Sequence, residues 1–413
     1  MATEAAPPET RTERWAMFSP LRYRNYRFFW LGQFPSVTAM NMQYVAVAWL
    51  VFQLTNSPAL LGITGLAQAV PNVAFSFVGG AVADRMDRQR LLLLTQGTTA
   101  LLFFVLGTLV AAEIVQYWHV LVVAFLLGTV RSFDQPARQA LLPLMVPRED
   151  IPKAVPLGNL VWQGTRLVGP ATAGMLIYLI GVGHTYYVAC ACFAVAMVLF
   201  SQLRIDPVLP RGGPGLWRNI LDGLIYIRQN DLVLTLIVLT FFNSVFGMSY
   251  TIMMPVFARD ILHVGSQGFG FLETAGGVGS VLGTFGVGYY ARAGRKGWQI
   301  IVGAAAFGVL LVGFASSSIY VLSLALLLLM GVANQWYMTT INTSIQMMLP
   351  NEYRGRVMGL WGLAWSLMPL GGTISGAIAE QAGAPFAIGL GATLVALLPL
   401  LAAIALPRLR NLD

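Results

Sequence analysis

Two apolar runs, Leu60 to Val82 and Leu91 to Ala112, are each long enough to cross a bilayer as a helix, and almost nothing separates them. The joint is Gly79-Gly80-Ala81-Val82-Ala83-Asp84-Arg85-Met86-Asp87-Arg88-Gln89-Arg90. A connector this short and this basic has to turn at a membrane surface. The bias of Lys and Arg toward the cytoplasmic side of membrane proteins puts it there.

The rest of the chain reads the same way. Of its 413 residues, 57% are hydrophobic and only 10% are charged, with a mean hydropathy of +0.69. Soluble domains carry about 25% charged residues, so most of this chain does not face water. Apolar runs of spanning length number about twelve. They are expected near 28–54, 59–83, 91–112, 118–141, 155–181, 184–203, 232–258, 268–291, 297–315, 319–347, 355–381 and 384–406. The fold class is therefore an all-α membrane protein.

The connectors after the odd-numbered runs hold a single basic residue, Arg259. Those after the even-numbered runs, with both termini, hold nearly all the rest, which predicts that both termini are cytoplasmic. The net charge of +8 is thus spread over connectors and forms no patch, so no nucleic-acid partner is expected. Residues 1–27 are polar and lack an apolar core, so no cleavable signal peptide is read there.

The longest polar break, Arg204 to Asp231, divides the chain into a segment 1–27, a six-helix unit 28–203, a linker 204–231, a second six-helix unit 232–406 and a tail 407–413. Pro207 to Pro214 cannot continue a helix. After them, Leu216, Trp217, Ile220, Leu221, Leu224 and Ile227 form an apolar stripe opposed by Arg218, Asp222 and Arg228, as in a helix lying on the cytoplasmic surface. The two units also resemble each other. Met145-Val146-Pro147-Arg148-Glu149-Asp150 recurs as Met348-Leu349-Pro350-Asn351-Glu352-Tyr353, and the same shift lays Gly169 on Gly372. Repeated halves suit a secondary transporter with its substrate between them.

Charges inside spans are costly and so carry information. Arg131, Asp134, Gln135 and Arg138 share one helical face. With an arginine on either side, Asp134 reads as part of a structural or gating ion network and not as a residue that exchanges protons. Arg166 has no carboxylate nearby in sequence and must meet Asp134, another helix, a water-filled cavity or an anionic substrate group. Glu273 shares a face with Gly276, Gly277 and Ser280 and has no basic neighbour in its span. It either couples transport to protons or simply reaches water at the outer surface.

Nothing points to an enzyme, a metal or a cofactor. There is no H-E-x-x-H and no G-x-S-x-G, His119, His184 and His263 are scattered, and Cys190 and Cys192 point in different directions from one helix.

The pattern G-x-x-x-D-R-x-x-R over Gly80, Asp84, Arg85 and Arg88 resembles the signature loop of the major facilitator superfamily. That resemblance implies two pseudo-symmetric six-helix halves, with this loop latching the cytoplasmic side shut in the outward-open state. The matching loop of the second half, Gly288 to Lys296, lacks the Asp, so the latch is expected to be one-sided. Arg166-Leu167-Val168-Gly169-Pro170-Ala171-Thr172-Ala173-Gly174 is similar to the antiporter motif of exporters in the superfamily, with Ala173 in place of a Gly. Ordinary small-residue packing at Gly169, Pro170 and Gly174 is the other reading. Asn25 to Gln33, Leu54 to Pro58, Asp134 to Ala137 and Arg354 to Met358 resemble the branch holding the enterobactin exporter and macrolide-efflux proteins.

In this superfamily the first helix of each three-helix unit lines the cavity. That nominates Gln33, Asn41 and Tyr44, then Asn243 and Tyr250, then Asn334 and Tyr337, all of which also suit plain helix packing. The resemblance implies a bacterial inner-membrane, multi-pass exporter acting as a monomer and moving an amphiphilic small molecule (a drug, macrolide or siderophore) in exchange for protons. An uptake symporter of the same fold and a non-transporting scaffold or sensor are the alternatives.

Overall fold

The computed structural model describes residues 16–205, 216–290 and 295–412, and the regular structure in them is helical throughout. The first half comprises α1 (Arg24–Thr55), α2 (Pro58–Arg85), α3 (Arg88–Ala111) and α4 (Tyr117–Met145). A continuous stretch, Ile151–Ser201, then bends at Gly181, where φ is +82°. It is two helices, α5 (151–180) and α6 (182–201). Helix α7 (Leu216–Gln229) belongs to the linker.

The second half comprises α8 (Asp231–Ile261), α9 (Gly265–Tyr290), α10 (Lys296–Ala315) and α11 (Tyr320–Met348). It ends with α12 (Asn351–Trp365), α13 (Met368–Ala382) and α14 (Ala384–Ala405). The single run expected at 355–381 is thus broken between α12 and α13, at Ser366 and Leu367. The expected break at 207–214 and the connector residues 291–294 lie outside the described residues.

Ten segments among the described residues are long and apolar enough to cross a membrane. One of them, Arg148–Ser201, holds two crossings, and the Gly-rich α9 adds another. Local signals set the ends. Asn56 stops α1 in the left-handed region, at φ 52°, and Ser57 caps α2 by accepting from Leu60 N, with Pro58 in the first turn. Asp87 caps α3 by accepting from Gln89 N and Arg90 N. Ile404, Val321 and Val309 are among the most exposed side chains, as expected where hydrocarbon is the solvent.

Within the first half α1 packs on α5, and α2 on α4. In the second, α9 and α10 both pack on α11, and α14 packs on α10. The basic connectors gather at one end, called here the basic end. Arg259 is the sole Lys or Arg among the connectors of the opposite end.

The repeat extends to the segments that precede each half. Tyr23 Oη donates to Asp150 Oδ2 at 2.7 Å, Arg22 pairs with the same oxygen at 2.9 Å, and Lys153 reaches Oδ1 at 3.2 Å. The shift that lays Asp150 on Tyr353 lays Tyr23 on Tyr226, and those two rings stack 4.6 Å apart, joining α7 to α12. A hydrogen-bonded carboxylate in one half is replaced by an aromatic stack in the other, at the same place.

The Tyr23 hydroxyl, with Lys153 and Arg22, holds the buried Asp150 carboxyl below the usual carboxylate range. A lowered folded value means that this anchor is complete above about pH 4, the ordinary carboxyl value, and is lost as pH falls through the lowered one. Asp150→Asn is expected to release residues 16–23 at neutral pH. Amide exchange there should rise severalfold over wild type, and the gap should close as the buffer is acidified through that range.

Candidate functional site

The halves meet through backbone, at the opposite end. A Cβ on Gly174 of α5 would lie 2.5 Å from Ser266 O and 2.9 Å from Gly270 Cα of α9. One on Gly270 would lie 2.5 Å from Pro170 O. Only glycine permits that approach. A second crossing joins α2 to α13, where a Cβ on Gly62 would strike Thr373 Cα and one on Gly376 would lie 2.5 Å from Pro58 O.

Polar ties flank these crossings. Ser57 Oγ and Ala59 N donate to Glu380 Oε2 at 2.7 and 3.2 Å, and Thr274 Oγ1 donates to Leu167 O at 3.1 Å. Arg259 donates to Phe52 O at 3.3 Å and sits over the Phe52 ring.

Behind the crossings a cavity of about 420 Å³ opens between the halves. Arg166 lines it from the first half, and Met248, Asn334, Met338, Trp361 and Trp365 line it from the second. Trp361 Nε1 is buried there with no acceptor among the described residues. Glu273 on α9 lies within the electrostatic reach of Arg166 across the interface, and Tyr44 and Tyr250 share its field. Its Oε1 is buried and has no donor among the described residues. Tyr44 also lines a small cleft of about 60 Å³ with Gln43, Thr64, Gln68 and Ile252. Glu273 therefore has a cationic neighbour after all, supplied by the other half, where no reading of its own span could find it.

Asp134 is spoken for elsewhere. Arg138 Nε donates to its Oδ2 at 2.6 Å, and Thr95 and Gln96 donate to its Oδ1 at 2.9 and 2.7 Å. Arg138 Nη2 donates to Ser36 Oγ, and Ser36 Oγ donates to Gln96 Oε1, each at 2.7 Å. The Arg138 guanidinium also lies over the Phe200 ring. The network pins α1, α3, α4 and α6 together inside the first half. Arg131 is exposed and interacts with Asp134 only at longer range, so one arginine, not two, holds the carboxylate.

The described bonds of the basic loop lie inside the first half. Arg88 Nη1 donates to Ala140 O, and Gln89 Nε2 to Phe200 O and Leu203 O. Of its two glycines, Gly79 is the one pressed against Ser132 O, while a Cβ on Gly80 meets nothing within 4 Å. Close approach is thus made at Gly79 and not at Gly80. Arg85 is exposed; Asp84 stands in the last turn of α2, and its side chain lies outside the described residues.

Among the residues nominated as cavity lining, Asn334 lines the main cavity and Tyr44 the small cleft. Gln33, Asn243, Tyr250 and Tyr337 are buried in packing. Asn334 Nδ2 donates to Asn243 Oδ1 at 3.2 Å and to Tyr337 Oη at 3.3 Å, a cluster seated where α8 widens into a π turn over Asn243–Gly247. Asn41 donates back to Val37 O, and its Cβ lies against Gly169. Trp361, Trp365 and Gly270 were not singled out from sequence. Their signal was faint: two tryptophans four residues apart, and one Gly among many in α9.

Two pseudo-equivalent helical bundles closed on one another at one end, with a polar-apolar cavity and unpaired charge between them, define a membrane transporter. The comparisons agree. The family described as transmembrane secretion effector matches residues 15–413, and the chain belongs to it, within the major facilitator superfamily. Similar relatives include the multidrug efflux pump Tap of Mycolicibacterium fortuitum, 26% identical over 89% of this chain and 92% of that one. Macrolide efflux protein A of Streptococcus pyogenes is 23% identical over 91% and 95%, and the enterobactin exporter EntS of Shigella boydii 24% over 94% and 93%. The fold resembles that of a bacterial homolog of the human lysosomal transporter Spinster, solved inward-facing and unoccupied, with a TM-score of 0.74 at 14% identity over 95% and 99%. The chain is a bacterial multi-pass inner-membrane transporter of small molecules and not an enzyme.

Asp134→Asn leaves Arg138 buried without a counter-charge, which typically costs about 3–5 kcal/mol. Its melting temperature in detergent should fall well below that of the exposed control Arg27→Gln. Gly270→Val drives a side chain into the Pro170 carbonyl, so spin labels at Gln53 and Gln381 are expected to move apart relative to wild type.

Proposed function

We propose that this protein exports an amphiphilic small molecule in exchange for protons by alternating access, as a single copy with both termini in the cytoplasm. The observation that carries the reading is Glu273, half-buried and lacking a donor on Oε1, facing Arg166 across the surface where the halves must part. Export is favoured by the names of three similar relatives, two efflux proteins and an exporter.

The exchange follows from the charges. With Glu273 ionised and the site empty, its attraction to Arg166 holds α5 against α9 and keeps the opposite end shut. Protonating Glu273 removes that attraction. A ligand that engages Arg166 from the cavity weakens it as well. Either event frees the halves to rearrange, while the empty, charged pair does not, and that is the condition for exchange. Tyr44 and Tyr250 are the remaining titratable groups facing Glu273.

When the opposite end opens, the basic end has to close. The Asp84, Arg85 and Arg88 loop, whose described contacts lie within the first half in the present state, is placed to form the latch with the second. Pro170 and Gly174 then serve as the crossing about which α5 and α9 separate, while Gly169, against Asn41 of α1, stays packed within the first half. Met248, Met338 and the two tryptophans offer a polarizable wall for a large apolar body, while Arg166, Asn334 and Trp361 Nε1 offer polar partners. A drug, macrolide or siderophore has both kinds of surface.

The test is efflux of a fluorescent amphiphile from liposomes under an imposed pH gradient. Wild type is expected to move dye against its gradient only while the pH difference persists. Glu273→Gln should bind dye with unchanged affinity and lose the pH-driven component, and Arg166→Gln should lose both coupling and affinity. Unchanged pH dependence in Glu273→Gln would retire the assignment.

A further inference from the structure

Helices α10 and α11 enclose a second space, separate from the central cavity. It is a groove of about 520 Å³ on the outer face of the second half. Trp298, Val302, Ala306 and Leu310 line it along α10, with Leu329 and Ala333 opposite on α11. Val302 and Leu329 are 59% and 50% exposed, so the groove opens toward the hydrocarbon. The faces of α11 divide the labour: Asn334 and Met338 look into the central cavity, while Ala333 and Trp336 line the groove.

Its dimensions are those of a lipid tail. From Arg295 to Leu310 the groove follows α10 for about 22 Å at 1.5 Å per residue. That is deeper than half the hydrocarbon core, about 15 Å.

Its mouth carries basic side chains among the described residues. Arg295 lines it, Lys296 follows, and Trp298, 48% exposed, stands at the depth where interfacial tryptophans sit. The tail brings two more cations alongside. Gly297 N donates to Leu412 O at 3.0 Å and a Cβ on Gly297 would strike Leu409 O, so Arg408 and Arg410, both exposed, are held against the start of α10. No Asp or Glu occurs in residues 295–312 or 406–412, and Asp413 lies outside the described residues.

We propose that this groove binds one acyl chain of an anionic phospholipid of the surrounding bilayer, with its phosphate against Lys296 and Arg295. Basic pockets between spanning helices recognise such headgroups. The site is independent of the transport reading, because no residue of the Arg166–Glu273 pair takes part.

The experiment is native mass spectrometry of the full chain in detergent, equilibrated with equal amounts of phosphatidylglycerol and phosphatidylcholine. Wild type is expected to retain phosphatidylglycerol severalfold more. Lys296→Gln should erase the preference while keeping the fold. Ala306→Phe, which fills the groove, should lose both lipids, and Leu322→Phe, on the lipid face outside it, should keep them. Equal retention of the two lipids by wild type overturns the proposal, as does full retention by Ala306→Phe. A dimer that Ala306→Phe dissolves would also overturn it, because the occupant would then be a second copy.

Discussion

Backbone lies on backbone where Gly174 of α5 meets Gly270 of α9, and the middle of the membrane is arranged around that contact. Side chains on either helix would hold the halves apart by the width of a methyl group or more. The approach brings Leu167 O within reach of Thr274 Oγ1 and sets Glu273 near Arg166, a meeting that neither half could arrange alone. The α2·α13 and α5·α9 crossings join the halves at the end away from the basic connectors.

Two carboxylates within the spans differ in their surroundings. Asp134 accepts from Arg138, Thr95 and Gln96, and the cation it neutralises is itself bonded to Ser36. Such a group is satisfied in place, and moving it would strand a charge in a medium that cannot solvate it. Its network lies wholly within one half and can ride through any rearrangement as a unit. Glu273 has a buried oxygen without a donor among the described residues and a cationic neighbour that belongs to the other half. Any relative motion of the halves changes its surroundings, which makes it responsive where Asp134 is fixed.

The internal repeat carries a further point. Tyr23 with Asp150 and Tyr226 with Tyr353 occupy matching places, fastening each half's leading segment to its fifth helix, one by a carboxylate and one by ring stacking. The architecture has been kept while the chemistry has diverged. The same divergence separates the Gly80–Arg88 loop from its second-half counterpart, which has no Asp. A symmetric scaffold thus carries asymmetric contacts at its basic end, and asymmetric charges within it.

Hydropathy, connector charge and the spacing of Gly and Pro were enough to read the spans, the two halves and the kind of protein, because a bilayer leaves a long apolar run few conformations other than a helix. The closeness of Asp134 to Arg138 was legible too, since residues four apart on a helix are neighbours by geometry. Which glycine of a rich set touches another backbone was not: Gly79 and Gly80 are alike in sequence and differ only in what α4 places against them. Nor was the partner of Glu273, nor the division of Asn334 from Asn243 and Tyr337 between cavity wall and packing. Those depend on how helices more than a hundred residues apart are set against each other. Local sequence settles each helix and the faces it offers; only the tertiary packing decides which face becomes interior, which meets the other half and which is left to water or lipid.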